Sequence, residues 1–567
     1  MSVLDDSSSP SDPNLPACPT SPDDRRILTH AGGAAFAVDD WTRLDRFLIL
    51  GVTSGTYYVS SRDLLQSNTT AIHQCLETDG LRTVARTVEI SLSGRAAKND
   101  PAIFVICLAL TAGNTATRQA AECAVLQVCR TGTHLFHLVH MADALRGWGR
   151  SLRRAIAGWY LKQTPDSLAF QVIKYRQRDG WSHADVLKLA HPRTRSREQQ
   201  SIFRWIVAGP RSLGPRQVHR LAKSLEPSEY PACNGLPRWI EAFEIARTSN
   251  DLNTVIATIR QDRLPHEAIP NHWLAEPKVW QTLLSHMPLG AMIRNLPRLT
   301  ALGVIEPGTP ETRRVAAALI HPARLKRSRL HPFAILTAWR TYQNPDKSLG
   351  RLRWKPVPDI LEALETAFYA SFQNVVPIGR PLLLALDVSG SMSQQVLGTR
   401  GLNALEASAA IALITLATEP DVTIMAFSDD FIPVNLKPGM RLEEVMAAMA
   451  MPFGFTDCSL PMIWAEEQRR KFDGIVVYTD SETHARWITP AQALQNYRRA
   501  FSPNAKCVVV GMTATEISIA DPNDRGMLDV VGCDAATPAL IADFLREDAR
   551  TPDLAGRPDR LGNRTPS

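Results

Sequence analysis

The chain has 567 residues, 44% of them hydrophobic and 21% charged, which makes it too long for one ordinary core and too apolar for a disordered protein. We therefore predict a globular protein of two or three domains. The formal net charge of +6 is unevenly distributed: residues 146–223 hold 17 Lys/Arg against four Asp/Glu, and residues 313–355 hold eleven against one. Such stretches often mark a basic solvated face, but two of this size favour a polyanionic partner.

No feature of the sequence indicates export or membrane insertion. The nine Cys form no C-x-x-C pair, so their spacing indicates neither a zinc site nor a disulfide framework. The simpler interpretation is that the protein resides in a reducing compartment. The N-terminus begins with acidic, Ser and Pro residues instead of the basic and apolar regions of a secretory signal. The most apolar stretches, 101–112 and 407–418, are shorter than the roughly 20 residues of a membrane helix. We expect a cytoplasmic protein that does not enter the membrane.

Taken in chain order, residues 1–28 are rich in Ser and Pro and lack periodic apolar positions, which predicts a flexible arm. Helical periodicity dominates residues 29–375. Residues 148–160 repeat apolar positions at helical spacing with arginines off that stripe, which predicts a core-packed helix with a basic outer surface. Short helices over such a length are typical of a superhelical stack of helix pairs, although no clean sequence period is present.

The next two helices carry recognisable end signals. Thr164 before a proline predicts the start of a helix over 166–178, on which Lys174 and Arg178 would be four residues apart on the exposed side. A helix that follows begins with a predicted capping box, S-H-A-D, and a proline ends it. His191 lies at the carbonyl end of this helix, where the dipole favours a charged imidazole.

After residue 380 the pattern changes to strands that alternate with helices. The predicted strands are 382–386, 422–427, 474–478 and 507–510, and helical stretches between them include 402–418 and 441–450. This alternation predicts a doubly wound, Rossmann-like α/β domain over residues 380–545, with a parallel sheet covered on both faces. Residues 546–567 contain repeated Pro and Gly and are predicted to form a flexible tail.

A D-x-S-x-S motif follows the first of these strands. Asp387, Ser389 and Ser391 alternate there, and Thr456 and Asp480 occur in two later loops at strand ends. A carboxylate and hydroxyls that converge at this edge of the sheet offer the hard oxygen ligands that suit Mg²⁺. The alternative is that Asp387 and Ser389 only cap a turn. The whole set resembles the metal-ion-dependent adhesion site of von Willebrand factor A domains, which implies a divalent cation with one position open to an acidic group of a partner.

The same residues fit catalysis poorly. A haloacid-dehalogenase phosphatase would have an aspartate where Ser389 stands, and the D-V-S-G-S sequence is not the G-x-S-x-G elbow of a serine hydrolase. No phosphate-binding Walker A sequence is present. We therefore expect a protein that is not an enzyme.

Short motifs over residues 30–545 carry a resemblance to a known family. They include Lys98-Asn99-Asp100-Pro101, Arg130-Thr131-Gly132-Thr133-His134, Gly180-Trp181-Ser182-His183 and Thr456-Asp457-Cys458-Ser459-Leu460. With a helical region that leads into an A domain, they resemble the Ro autoantigen family, whose helical part is called the TROVE module. Two positions depart from its pattern: Ala97 replaces a usual proline, and Phe455 replaces a usual glycine.

The resemblance implies a closed, all-α ring of HEAT-like repeats over 29–375, clamped by the A domain. It also implies a noncatalytic ribonucleoprotein that binds small noncoding Y-like RNAs on the outer surface of the ring and misfolded or single-stranded RNA ends at its central hole. Lys174, Arg178 and His191 align with family positions that contact Y RNA. The expected role is RNA quality control or decay, in some bacteria with a tethered exoribonuclease, and we expect a monomer.

A second hypothesis is open at this point. The chain would be a protein-interaction adaptor whose A domain holds an acidic group of a partner through its metal, with the helical stack as a peptide-binding solenoid. Residue chemistry also fits RNA, because Lys and Arg interleaved with Trp, Tyr and His suit phosphate contacts and base stacking. Without the family resemblance, Lys174 and Arg178 would be read as solubilising charges and His191 as a helix cap.

Overall fold

The structure is a computed structural model. It describes residues 26–28, 34–37, 39–50, 61–93, 99–145, 148–209, 237–345, 352–397, 399, 401–450, 456–481, 483, 488–513, 517–521, 524, 526–534 and 537–546. The remainder lies outside the described residues, and with it most of the predicted arm, the predicted tail after residue 546, Ala97 and Phe455.

Helices follow one another through the first half of the helical region. Their bounds are α1 (Asp40–Leu50), α2 (Ser61–Ser93), α3 (Asp100–Ala112), α4 (Thr115–Val128), α5 (Gly132–Leu145), α6 (Arg150–Lys162), α7 (Pro165–Lys174), α8 (His183–Ala190) and α9 (Arg197–Ala208). Asp79 interrupts α2 with an extended backbone, and its carboxylate accepts from the Arg82 N–H at 2.9 Å as a new helical segment begins. Helix α3 is buried on nearly all sides, as its continuous apolar sequence requires.

The second half continues the stack. Its helices are α10 (Arg238–Thr248), α11 (Leu252–Asp262), α12 (Pro277–Leu284), α13 (Leu289–Ala301), α14 (Pro310–Ile320), α15 (Pro322–Ser328), α16 (Pro332–Gln343) and α17 (Pro358–Ala370). Several of these helices carry proline in their first turn, where a missing N–H costs nothing. Each helix packs on near neighbours in the chain, so the apolar faces join in one continuous core.

The C-terminal part is an α/β domain, here called the A domain. Its strands are β5 (Leu382–Asp387), β6 (Val422–Phe427), β7 (Phe431–Pro433), β8 (Gly474–Thr479), β9 (Lys506–Gly511), β10 (Ile517–Ser518) and β11 (Met527–Val531). Its helices are α18 (Ala404–Thr418), α19 (Leu442–Met449), α20 (Leu460–Glu467), α21 (Pro490–Ala500) and α22 (Thr537–Arg546). In the described residues the main sheet has six strands in the order β11-β9-β8-β5-β6-β7.

The predicted α/β architecture of the A domain is confirmed, with one difference in the sheet. Strands β11, β9, β8, β5 and β6 are parallel, as expected, whereas β7 at the edge is antiparallel to β6. Two apolar cores lie against this sheet, one of them continuous with the core of the helical region. Residues of β5 are therefore buried on both faces, which explains its unbroken apolar sequence.

Both ends of the helical region contact the A domain. At the N-terminal end, β1 (Arg26–Leu28) pairs with β2 (Ala34–Ala37), and β2 pairs in turn with β10 of the A domain. Residues 26–28, predicted to belong to the flexible arm, therefore form a strand. The sheet that contains this strand is completed by β10 of the A domain. At the other end, Arg340 of α16 binds two glutamates of the A domain, Glu406 at 2.6 Å and Glu443 at 3.1 Å. The helical region therefore closes on the A domain from both sides.

No helix in the described ranges combines the length and apolar character that crossing a membrane requires.

A buried histidine anchors the packing of α8 on α6. The His183 Nδ1 lies 2.6 Å from the Tyr160 hydroxyl, and its ring contacts Phe136 with a centroid distance of 4.6 Å. Burial lowers the pKa of His183 from 6.5 to about 3 and, with less burial, the pKa of His134 to about 4. Both rings are held neutral because a charged imidazole would lose its hydration in this core.

These histidines predict acid sensitivity. Their pKa values are lower in the folded than in the unfolded protein, so the unfolded state binds more protons and stability falls as pH drops below about 6.5 toward 4. We expect His183→Gln to reduce the slope of unfolding free energy against pH by about 1.4 kcal/mol per pH unit in that window. Urea unfolding at several pH values measures this slope. His140→Gln, at an exposed position, is the control, and equal slopes for wild type and His183→Gln would contradict the assignment.

Candidate nucleic-acid interface and metal centre

The outer side of α6 is basic, as its sequence predicts. Leu152, Ile156 and Trp159 are buried, while Arg150 and Arg153 on the opposite side are exposed. Amphipathic spacing alone produces this division, because residues three and four apart share one face of a helix. The helix therefore presents cationic side chains to solvent next to the element that carries Lys174.

Lys174 and Arg178 do not share a helix, so the predicted helix over 166–178 is wrong at its C-terminal end. Helix α7 ends at Lys174, and Arg178 belongs to a two-residue strand, β3 (Gln177–Arg178), paired with β4 (Trp181–Ser182). The chain reverses between them at Asp179 and Gly180, whose φ angles are 52° and 81°. Gly180 tolerates that conformation, so it forms a hairpin turn and is not a helix stop directly after the helix.

The two side chains also differ in environment. The Lys174 ammonium lies 3.8 Å from a carboxylate oxygen of Glu267 and above the rings of Phe170 and Tyr175, and 25% of the side chain is exposed. The Arg178 side chain is 61% exposed, with the Asp179 carboxylate at 3.8 Å. Surface pairs at this distance are weak, so Arg178 can reach an external phosphate more readily than Lys174 can.

His191 ends α8 as predicted. Its backbone is left-handed, with φ of 47°, and its N–H donates to the Leu187 carbonyl at 3.0 Å. The predicted capping box at the other end of α8 is confirmed, since the Ser182 and Asp185 side chains each accept from the other's backbone N–H. Because both ends of this short helix are fixed, the backbone of His191 has a defined position and its side chain is exposed.

Further exposed cations that the sequence did not single out follow in the chain. We call the exposed Arg, Lys and His residues from 178 to 197 the basic segment: Arg178, Lys188, His191, Arg193, Arg195 and Arg197. Within the described residues, no carboxylate lies within ion-pair distance of Lys188, Arg193, Arg195 or Arg197. The signal in the sequence was the high ratio of Lys and Arg to Asp and Glu. Exposure and pairing, which decide whether a charge is available, required the structure.

The second basic stretch, 313–355, is different in part. Arg340 is nearly buried and pairs with the A domain, and Arg324 donates to the Met287 carbonyl at 3.0 Å, so these two guanidinium groups serve the packing of the chain. Other cations of this stretch are exposed: Arg313, Arg314, Lys326, Arg327 and Arg329. The preference for the basic segment therefore rests on Arg178 and His191, which the family resemblance aligns with RNA-contacting positions.

In the A domain, the end of β5 brings three of the predicted metal residues together: Asp387, Ser389 and Ser391. The Asp387 Oδ1 accepts from the Ser389 N–H at 2.8 Å, and the hydroxyls of Ser389 and Ser391 lie 3.1 Å apart. Asp387 is fully buried and Asp480 is 3% exposed. Burial, and then the charge of Asp480, raise the pKa of Asp387 well above its usual range, so the two carboxylates face each other in a dry site.

A chain of contacts connects the backbone carbonyl of Thr456 to Asp387. That carbonyl accepts from the Thr483 hydroxyl at 3.4 Å, and that hydroxyl accepts from the Cys458 N–H at 3.1 Å. The Cys458 sulfur in turn lies 3.7 Å from the Thr479 hydroxyl, which donates to the Asp387 Oδ2 at 2.7 Å. Thr479 and Thr483 were not identified from the sequence.

This donor set fits a hard cation. Two nearly buried carboxylates repel each other unless a positive charge is shared between them, and the hydroxyls of Ser389, Ser391 and Thr456 are oxygen donors of the kind that Mg²⁺ accepts. In the part of the chain that the structure describes, no group of three or more His, Cys, Asp or Glu could hold a metal. A cation in the A domain would thus depend on serine and threonine hydroxyls.

Comparisons with known proteins agree with this division. The family model described as the Ro60 vWA domain matches residues 381–545, and the TROVE domain model matches residues 28–214 and 264–349. The RNA-binding protein RO60 of Deinococcus radiodurans is 40% identical over 92% of this chain and 96% of its own length. The RNA-binding protein RO60 of Caenorhabditis elegans is 33% identical over 92% and 90%. The crystal structure of the Deinococcus radiodurans Ro (RSR) protein superposes with a TM-score of 0.71 at 39% identity, covering 90% of this chain and 99% of that one.

Proposed function

The chain belongs to the Ro60 family of proteins, with a TROVE domain followed by a Ro60 vWA domain, and from this premise we propose that it is a noncatalytic RNA-binding protein. Its relatives are named RNA-binding proteins and not enzymes, in agreement with the expectation from the sequence. The observation that carries the proposal is the basic segment, in which Lys188, Arg193, Arg195 and Arg197 are exposed and have no carboxylate of the described chain within ion-pair distance. RNA phosphates are the polyanion that such a surface attracts.

The proposed ligand of the basic segment is a small, structured noncoding RNA of the Y type. Arg178 and His191 are held at the two ends of a unit formed by the β3–β4 hairpin and the capped helix α8, so their spacing is fixed before RNA binds. Fixed cations lose less conformational entropy on binding than mobile ones. Lys174 contributes from the end of α7, where it is shared with Glu267 and would exchange that partner for a phosphate.

Misfolded or single-stranded RNA ends are the second proposed ligand. Closure of the helical region on the A domain, through β2–β10 at one end and Arg340 at the other, supports a ring with a central opening for such ends. The role that follows is RNA quality control or decay in the cytoplasm. The proposed protein partner is an exoribonuclease, tethered to this chain through a bound RNA. The family relationship favours this role over the peptide-binding adaptor.

We further propose that the A domain binds a divalent cation, Mg²⁺ by the chemistry of the donors. Asp387, Ser389, Ser391, Thr456 and Asp480 would hold it, directly or through water. The cation would neutralise the paired carboxylates and leave one position for an acidic group of a partner.

The RNA proposal predicts a change in salt dependence. Each lost phosphate contact lowers the slope of log affinity against log salt by about 0.7 to 0.9, and we expect Arg178→Gln to show this loss. Adding Lys174→Gln should lower the slope further but by less, because Lys174 is partly held by Glu267. Fluorescence anisotropy with a synthetic hairpin RNA that contains a large internal loop measures both slopes. Lys437→Gln, at an exposed site of the A domain, is the control, and a slope for the double variant equal to that of wild type would rule out this surface.

The metal proposal predicts a thermal shift. Mg²⁺ should raise the melting temperature of the A domain in the wild-type protein, because it screens the Asp387–Asp480 repulsion. Asp387→Asn should melt normally in EDTA and gain little from Mg²⁺. Its hairpin-RNA affinity should equal that of wild type, since the basic segment lies in another domain. An equal Mg²⁺ shift in both proteins would place the cation elsewhere.

A further inference from the structure

A cleft of about 270 Å³ opens beside the β3–β4 hairpin, between α9 and α10. Among the residues that the structure describes, its lining includes two arginines, Arg176 and Arg247, and one carboxylate, Glu244. The rings of Trp205 and Phe243 form its floor and pack edge to face with their centroids 5.9 Å apart. We call it the arginine cleft. None of its residues was identified from the sequence as a binding residue.

The carboxylate in the cleft is largely used by other partners. The Glu244 side chain is 3% exposed, and its Oε2 accepts from Arg247 at 2.9 Å and 2.7 Å. Its Oε1 accepts from the Trp205 Nε1 at 2.9 Å. Glu244 therefore neutralises Arg247 and is anchored beside Trp205. Its single negative charge cannot balance a second guanidinium as well.

Arg176 is the unbalanced charge. Its guanidinium lies 4.9 Å from the centre of the Phe243 ring, and among the described residues it has no hydrogen bond and no ion pair. Burial, followed by repulsion from Arg247, lowers the pKa of Arg176. Two guanidinium groups beside one carboxylate leave the cleft with an excess positive charge. An incoming anion would find one wholly unused set of N–H donors and the outer nitrogen of Arg247.

We propose that the arginine cleft binds a phosphate group of a single-stranded RNA segment, with Arg176 as the principal contact and Arg247 as the second. The inference rests on the proposed RNA-binding function and adds a second contact site to it. Gln177 and Ser182 line the cleft and belong to the hairpin that carries Arg178, so a strand that leaves the basic segment enters the cleft directly.

The size and floor of the cleft support a nucleotide as the bound unit. A volume of about 270 Å³ equals that of roughly nine water molecules, which is below the size of a drug-like pocket and suited to one phosphate with its sugar. The guanidinium plane of Arg176, backed by Phe243, also offers a stacking surface for a base. A free phosphate ion would be attracted to the same guanidinium groups as an RNA phosphate, so the experiment must distinguish binding of free phosphate from binding of RNA.

The test uses the full-length protein and two probes, fluorescein-labelled decauridylate and inorganic phosphate. Arg176→Gln should weaken decauridylate binding about tenfold and lower its salt slope by about 0.7, because one charge-assisted phosphate contact is lost. Its melting temperature should not fall, since Arg176 makes no hydrogen bond in the described structure. Lys278→Gln, an exposed change in the helical region, is the control.

The outcomes separate this inference from the function on which it rests. If wild type and Arg176→Gln bind decauridylate with equal affinity and slope, while Arg178→Gln weakens the hairpin RNA, the cleft assignment is overturned and the RNA-binding function stands. If wild type binds neither RNA, both fail. If inorganic phosphate raises the melting temperature of wild type but not of Arg176→Gln, with unchanged decauridylate binding, the cleft is a site for free phosphate and the RNA assignment is overturned.

Discussion

The arrangement of the two parts of the chain depends on one buried ion pair, between Arg340 of the helical region and Glu406 of the A domain. Only 11% of the arginine side chain and 13% of the glutamate side chain are exposed. Glu443 binds the same guanidinium, which also lies 4.6 Å from the centre of the Trp339 ring. Buried pairs of this kind contribute more to specificity of packing than to net stability, because desolvation offsets most of the attraction. Arg340 therefore fixes how α16 meets α18 and α19.

Arg340 attaches one end of the helical region to the A domain, and the β2–β10 pairing attaches the other. The helical stack is therefore not a solenoid with two unattached ends. The charges are distributed accordingly. Arg324 and Arg340 of 313–355 are held by groups of the protein itself, whereas the basic segment and Arg176 face outward with few carboxylates near them. The A domain instead concentrates negative charge at Asp387 and Asp480, which suits a cation and not RNA. The proposed RNA-binding and metal-binding sites thus belong to separate parts of the chain.

Much of the fold could be predicted because it follows from local patterns. Four of the seven described strands of the A domain, β5, β6, β8 and β9, were placed to within a residue or two, since strands covered on both faces have short, continuous apolar sequences. Strands β10 and β11 were not identified from the sequence. The proximity of Asp387 and Asp480 could be predicted because parallel strands end at one edge of the sheet, whereas metal binding by them stays a prediction. Thr479 could not, because its role depends on the register that sets it beside Asp387. The edge strand β7 is too short to carry a pattern of its own.

The candidate interface was less predictable. Helical spacing placed Lys174 and Arg178 on one helix, but the turn at Asp179 and Gly180 moved Arg178 into a hairpin. The arginine cleft carried no local signal at all, because Arg176 and Arg247 come from elements far apart in the chain and meet only through packing. They differ from ordinary surface arginines because two guanidinium groups lie beside one carboxylate, that of Glu244. This imbalance can be recognised only when the hydrogen-bond partners of Glu244 are known.

The central claim is that the helical region, through the basic segment, is the part of this chain that contacts RNA. Ultraviolet crosslinking of the protein in cells, followed by nuclease digestion and mass spectrometry of the crosslinked peptides, tests it most directly. The account predicts nucleotide adducts on peptides from residues 174–197, with few on the A domain. Adducts confined to the A domain, or RNA recovery no higher than from a non-binding control protein, would contradict it.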